Sequence, residues 1–139
     1  MFNNPDTSLS NLMFGLRRLI NKSDKENRLK HELTVSQFET LWFIGPTGRR
    51  TMESIADHLN IKPPSVTALV DKLEKSGLVA REKDPADRRL IQVVLTKKMI
   101  KELQVMGRKK ELVFDKIISK LSPADQKELE RILSILIKK

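Results

Sequence analysis

The chain has no cysteine and no tyrosine, only two histidines and five glycines, and aromatic residues fill 4% of its 139 positions. Each shortage closes a class of function. Without cysteine there is no disulfide scaffold, no thiolate metal site, no thiol nucleophile and no thiol response to oxidants. His31 and His58 are far apart and in no metal-binding spacing, so surface or structural roles are expected of both, and no metal or other cofactor is expected. The few aromatics form no visible stacking platform of the sort that reads RNA bases. No Ser-His-Asp set can be assembled with positional logic, and the acidic residues are spread along helices, so an enzyme is not expected. The segment GPTGRR, residues 45–50, lacks the Gly-Lys-Ser/Thr ending of a phosphate-binding loop. No apolar run approaches a membrane span, and MFNNPDTSLSNLMFGLRRL lacks the charged start and continuous apolar run of a signal peptide. The expectation is a cytoplasmic protein.

What the chain has in excess is positive charge. Lys and Arg total 27 against 18 Asp and Glu, a formal +9 that favours a polyanionic partner. Hydrophobic residues at 39% suffice for one modest core, and a single domain is expected.

Helical spacing of Leu9, Leu12, Met13, Leu16, Leu19 and Ile20 behind Thr7 and Ser8 predicts a first helix beginning near Ser8. The charged stretch Lys22 to Lys30 reads as its solvated continuation. Thr34 with Gln37 forms a capping-box pattern for a second helix that buries Phe38, Leu41 and Trp42 and stops at Gly45-Pro46. Thr51 is a plausible N-cap for a third, with Ile55, Ala56 and Leu59 as its stripe. Asn60 to Pro63 break it, and Pro63-Pro64 open a fourth helix whose core side carries Val66, Leu69, Val70 and Leu73 before Gly77 stops it. The period then becomes two. Val79, Arg81 and Lys83 run out, Asp84 to Asp87 turn, and Leu90 to Leu95 return as an apolar strand. Thr96 can cap a long helix carrying Ile100, Leu103, Phe114, Ile117, Ile118 and Leu121. Ser122-Pro123 with Asp125 starts another, striped by Leu129, Ile132, Leu133, Leu136 and Ile137. Met13, Met99 and Met106 are expected as gap-filling core.

Helix, tight turn, helix and basic-tipped hairpin describe a DNA-reading device, and the fourth helix turns Pro64, Ser65, Thr67, Ala68, Asp71 and Lys72 outward. Residues at a helix N-terminus reach base edges or phosphates, and backbone N–H groups there favour phosphate. Early-helix capping is the competing role of Ser65 and Thr67, and a solvated hairpin tip that of Arg88 and Arg89. Apolar stripes at both ends of the chain need cover, for which a second copy is the economical source.

From Ile61 to Thr96 the sequence resembles the MarR family of winged helix-turn-helix transcription regulators. The match runs through Ser65-Val66-Thr67, Leu73-Glu74, Gly77-Leu78-Val79, Asp84-Pro85-Ala86-Asp87-Arg88-Arg89 and Val93-Val94-Leu95-Thr96. The resemblance implies a mainly α fold with a small β-hairpin wing, a winged helix-turn-helix with long terminal dimerisation helices. Residues 1–33 and 97–139 would dimerise, and residues 34–96 would form the DNA-binding lobe. It implies a homodimeric regulator of double-stranded DNA, a repressor acting on an inverted repeat, with no membrane partner. A small aromatic or anionic effector is a candidate partner, and Phe14, Phe38, Trp42 and Phe43 are candidates to line its cavity. Ser65, Thr67 and Ala68 would lie nearest the major groove, Lys62 and Lys72 would hold phosphate, and Arg89 would enter the minor groove with Arg88 at the backbone. Asp87 would orient Arg89 through an ion pair. Many family members place Arg where Ala68 stands and Ser or Asp where Lys62 stands; without that Arg, thymine-methyl contact or weaker direct readout is expected. The alternative is a winged-helix interaction module without specific DNA reading.

Overall fold

Threonine and serine caps set most helix starts in this chain, as the computed structural model of the protein, which describes residues 8–138, makes plain. Thr34 accepts the Gln37 amide (3.2 Å) while Gln37 Oε1 accepts the Thr34 amide (2.9 Å), and α2 runs Val35–Ile44. Thr51 accepts the Ser54 amide (3.1 Å) to start α3, Met52–Leu59, which ends on Asn60 in the left-handed region at φ 53°. Helix α4 is Pro63–Lys75, and Gly77 at φ +71° follows its end. Ser122 accepts the Asp125 amide (3.1 Å) at the start of α6, Pro123–Ile137. Helix α1 covers Leu9–Lys30, charged stretch included, and α5 covers Lys97–Ile118, so Leu121 lies past its end. Thr7, proposed beside Ser8 at the first helix start, lies outside the described residues; the Ser8 hydroxyl accepts the Asn11 amide (3.3 Å).

The sheet has one strand more than the sequence reading expected. β2 (Val79–Lys83) and β3 (Ile91–Leu95) form the hairpin, and β1 (Arg49–Thr51) pairs antiparallel with β3, giving the order β1-β3-β2. GPTGRR is therefore a turn that runs into a strand. Leu90 is not part of β3: it is 44% exposed, and its amide closes the wing turn on the Asp87 carbonyl (2.9 Å). In register, Val79 faces Leu95 and Arg81 faces Val93, so one face of the sheet supplies Val79, Val93 and Leu95 to the core.

The chain divides into two compact units. The unit from Asp24 to Gly107 holds the core: Leu41, Ile44, Ile55, Val70, Leu73, Val93 and Met99 have no exposed surface, each contributing on the order of 1.5–3 kcal/mol by burial. Met99 and Met106 fill this core as expected. Met13 does not; it is 56% exposed. The other unit comprises the chain up to Ser23 and from Arg108 onward. Among the described residues, neither α1 nor α6 has a buried side chain, and Leu9, Phe14, Leu19, Ile135, Leu136 and Ile137 are all more than half exposed. No described helix is long and apolar enough to cross a membrane.

Candidate nucleic-acid interface

Helix α4 owes its orientation to its period. Val66, Val70 and Leu73 are buried, which turns Pro64, Ser65, Thr67, Ala68 and Lys72 to the exposed side with Lys62 ahead of them. The expected supply of spare amides at this N-terminus is absent. Pro63 and Pro64 carry no N–H, and the amides of Ser65 and Val66 both donate to the Lys62 carbonyl (3.0 and 3.3 Å). An anion here meets the helix dipole and the Lys62 side chain, which makes no capping bond. The Thr67 hydroxyl donates to the Pro63 carbonyl (3.2 Å), leaving its lone pairs outward. Ala68 presents a methyl and nothing else.

The wing tip is organised by two carboxylates. Asp84 Oδ1 accepts the amides of Ala86 (2.7 Å) and Asp87 (3.2 Å), the Asp84 amide donates to the Leu90 carbonyl (3.0 Å), and Gln92 Nε2 donates to Asp84 Oδ2 (2.6 Å). Asp87 then grips Arg89: Oδ1 accepts Nε (3.0 Å) and the backbone amide (3.1 Å), and Oδ2 accepts Nη2 (3.2 Å). That pairing holds the Asp87 carboxyl below its ordinary value, the side-chain bonds from Arg89 acting most and its backbone amide next. The Arg89 side chain stays 90% exposed, oriented yet open to solvent, and Arg88 is exposed beside it.

Sequence reasoning placed Asp71 outward with the DNA-facing set, but its carboxylate is bound. Arg81 on β2 donates through Nη2 to Asp71 and through Nη1 to Glu74 (2.8 Å), so both acids of α4 are paired. The signal was available: period two puts Arg81 on the same sheet face as buried Val79, toward the helix. Gln92 was also missed; it binds Asp84 on one side and accepts Arg49 Nη1 (3.5 Å) on the other.

Of the aromatics proposed for a cavity, Phe38 is core and meets Trp42 edge-on at 6.1 Å, and Phe14, 59% exposed, lines an open cleft of about 670 Å³ along α1. Phe43 is sandwiched. The His58 ring stacks on it at 4.0 Å, and the Arg50 guanidinium lies 4.2 Å from its centroid with Nε donating to the Phe43 carbonyl. Only Trp42 of the four borders the cavity of about 240 Å³ in this unit, together with Gly45, Pro46, Leu95, Ile100, Leu103 and Gln104. His31 bonds Glu102 at 2.9 Å. Among the described residues no cluster of acidic or histidine side chains could hold a metal ion.

Comparison with known proteins supplies the context for this geometry. Residues 33–91 match the model of the MarR family. The HTH-type transcriptional regulator MhqR of Bacillus subtilis (strain 168) is 30% identical over 119 residues, 86% of this chain and 80% of that protein. RV1404 from Mycobacterium tuberculosis superimposes with a TM-score of 0.78 at 23% identity, covering 98% of this chain and 94% of its own. NadR, solved in complex with 4-hydroxyphenylacetate, gives 0.68 at 22% identity over 99% of this chain and 98% of its own.

Proposed function

Because this chain belongs to the MarR family and is a DNA-binding transcription regulator, we propose that it works as a homodimeric repressor whose two recognition helices read an inverted-repeat operator. The observation that carries the site assignment is the pairing of an exposed α4 face (Lys62, Pro64, Ser65, Thr67, Ala68, Lys72) with an exposed, pre-oriented arginine at the wing tip. One element is dimensioned for a major groove, and the other brings a cation to a narrow minor groove. Arg88 takes the backbone. The DNA contacts of all these residues are part of the proposal.

Dimerisation is supported by the uncovered apolar stripes of α1 and α6, an arrangement that water disfavours in a lone copy. A dimer sets two α4 helices roughly one turn of DNA, about 10 bp, apart. Bound at a promoter, it excludes transcription machinery, in the cytoplasm where such DNA is found. For relief of repression, the mostly apolar cavity beside Trp42 takes a small aromatic effector, a role for which NadR with 4-hydroxyphenylacetate is the parallel.

Titrating labelled genomic fragments at several salt concentrations tests the reading. A DNA regulator loses affinity steeply, with a log–log slope near −0.9 per phosphate neutralised. A flat salt response would favour a winged-helix interaction module.

A further inference from the structure

Arg81 makes more contacts with the recognition helix than anchoring a strand requires. Its guanidinium reaches Asp71 Oδ1, Glu74 Oε1 (2.8 Å) and the Thr67 carbonyl (3.5 Å), and its own amide donates to Glu74 Oε2 (3.1 Å). Positions 67, 71 and 74 follow one another along a single face of α4, so one side chain of the wing strand grips about two turns of helix. Below it, Val79 and Leu73 fasten the base of the hairpin by apolar contact, and the Leu78 amide bonds the Leu73 carbonyl (3.0 Å). Arg81 lies one step further out along β2, towards the tip that carries Arg89. The grip also reduces a charge problem by half. Asp71 and Glu74 are about half exposed on the helix nearest DNA, and without a counter-ion they would repel phosphate.

We propose that Arg81 is a positioning residue for DNA reading: by bridging Asp71, Glu74 and Thr67 it fixes the angle between recognition helix and wing and offsets one of the two negative charges that would face the phosphates. This rests on the DNA-binding role given above. The fork of the guanidinium is what the task requires, because a lysine ammonium keeps the charge but cannot hold both carboxylates and the carbonyl in one plane.

The two parts of the role separate experimentally. Three proteins are compared with wild type: Arg81→Lys, Arg81→Gln, and Arg81→Gln combined with Asp71→Asn and Glu74→Gln. The probes are a fragment selected from genomic DNA by the wild-type protein and a random-sequence duplex of equal length, at several salt concentrations, with thermal unfolding as a fold check. Arg81→Lys is expected to bind random DNA as wild type does yet lose about tenfold in its preference for the selected fragment, the scale of one mismatched base pair. Arg81→Gln should bind both probes more weakly. The triple variant should regain random-DNA affinity and not the preference. Should the Gln variants fail to fold, the Lys variant decides alone. A wild-type preference in Arg81→Lys, or its full return in the triple variant, overturns positioning. A wild-type protein with no preference of its own would instead sink the functional reading and this inference with it.

Discussion

Two neighbouring arginines at the wing tip are set apart by a single carboxylate. Asp87 holds Arg89 through two guanidinium bonds, and in the proposed reading Arg88 takes the DNA backbone. Arg89→Ala is therefore expected to cost roughly 1–3 kcal/mol of DNA affinity, concentrated on sites with A·T-rich flanks, whereas Arg88→Ala weakens all DNA alike. Binding to one site and its flank-substituted version measures the difference; reversed phenotypes would exchange the two roles. The pair also fixes a pH dependence. The Asp87 carboxyl is depressed below 3.8 in the folded protein, so its contribution is present above the unfolded value and is lost as pH falls through the folded one. Across the neutral range the wing tip keeps its geometry. Carboxyl-carbon NMR should give a midpoint below 3.8 for Asp87 that rises in Arg89→Ala, and a midpoint already at 3.8 in wild type would mean that the pair does not persist in solution.

At the scale of elements, local chemistry governs the ends of helices. Thr34→Ala breaks one half of the α2 capping box and should lower stability by about 1 kcal/mol in chemical denaturation. Gly77→Ala meets no neighbouring atom, so its cost is conformational alone, about 1–2 kcal/mol for an L residue at φ +71°. A Gly77→Ala protein as stable as wild type would mean that the turn relaxes to another conformation. These features could be read from sequence because a cap or a stop involves residues three or four positions apart. Non-local features could not. Strand β1 is three residues, two of them arginines, and exists only because β3 offers it an edge. Asp71 was placed outward correctly by helical period; the strand period also turned Arg81 toward the helix, but neither pattern alone says which acid ten residues back it meets. Phe43 was a candidate cavity wall, and the Arg50 and His58 contacts to its ring come from two other elements. Met13 has the helical phase of a core residue; phase cannot say whether the core is in the same chain.

At the scale of the whole molecule, that last question becomes an experiment. Leu136 and Ile135 are 65% and 62% exposed, so Leu136→Asp disturbs little packing within the chain itself. Sedimentation should show wild-type dimer and mutant monomer with similar helix content, and a mutant that stays dimeric would place the interface elsewhere. The proposed two-fold arrangement also predicts that inserting about half a helical turn, roughly 5 bp, between half-sites abolishes tight binding. Equal affinity for a single half-site would mean that the two helices act independently.

Thr96 joins segments that the sequence keeps far apart. Its hydroxyl donates to the Gly77 carbonyl (2.8 Å) and accepts the Met99 amide (3.3 Å), while its own amide donates to the Leu78 carbonyl (3.1 Å). The residue that starts α5 is thus bolted to the stop of the recognition helix. In mechanical terms it is a pivot: one hydroxyl holds both the first turn of α5 and the end of α4, so neither can tilt without straining the other.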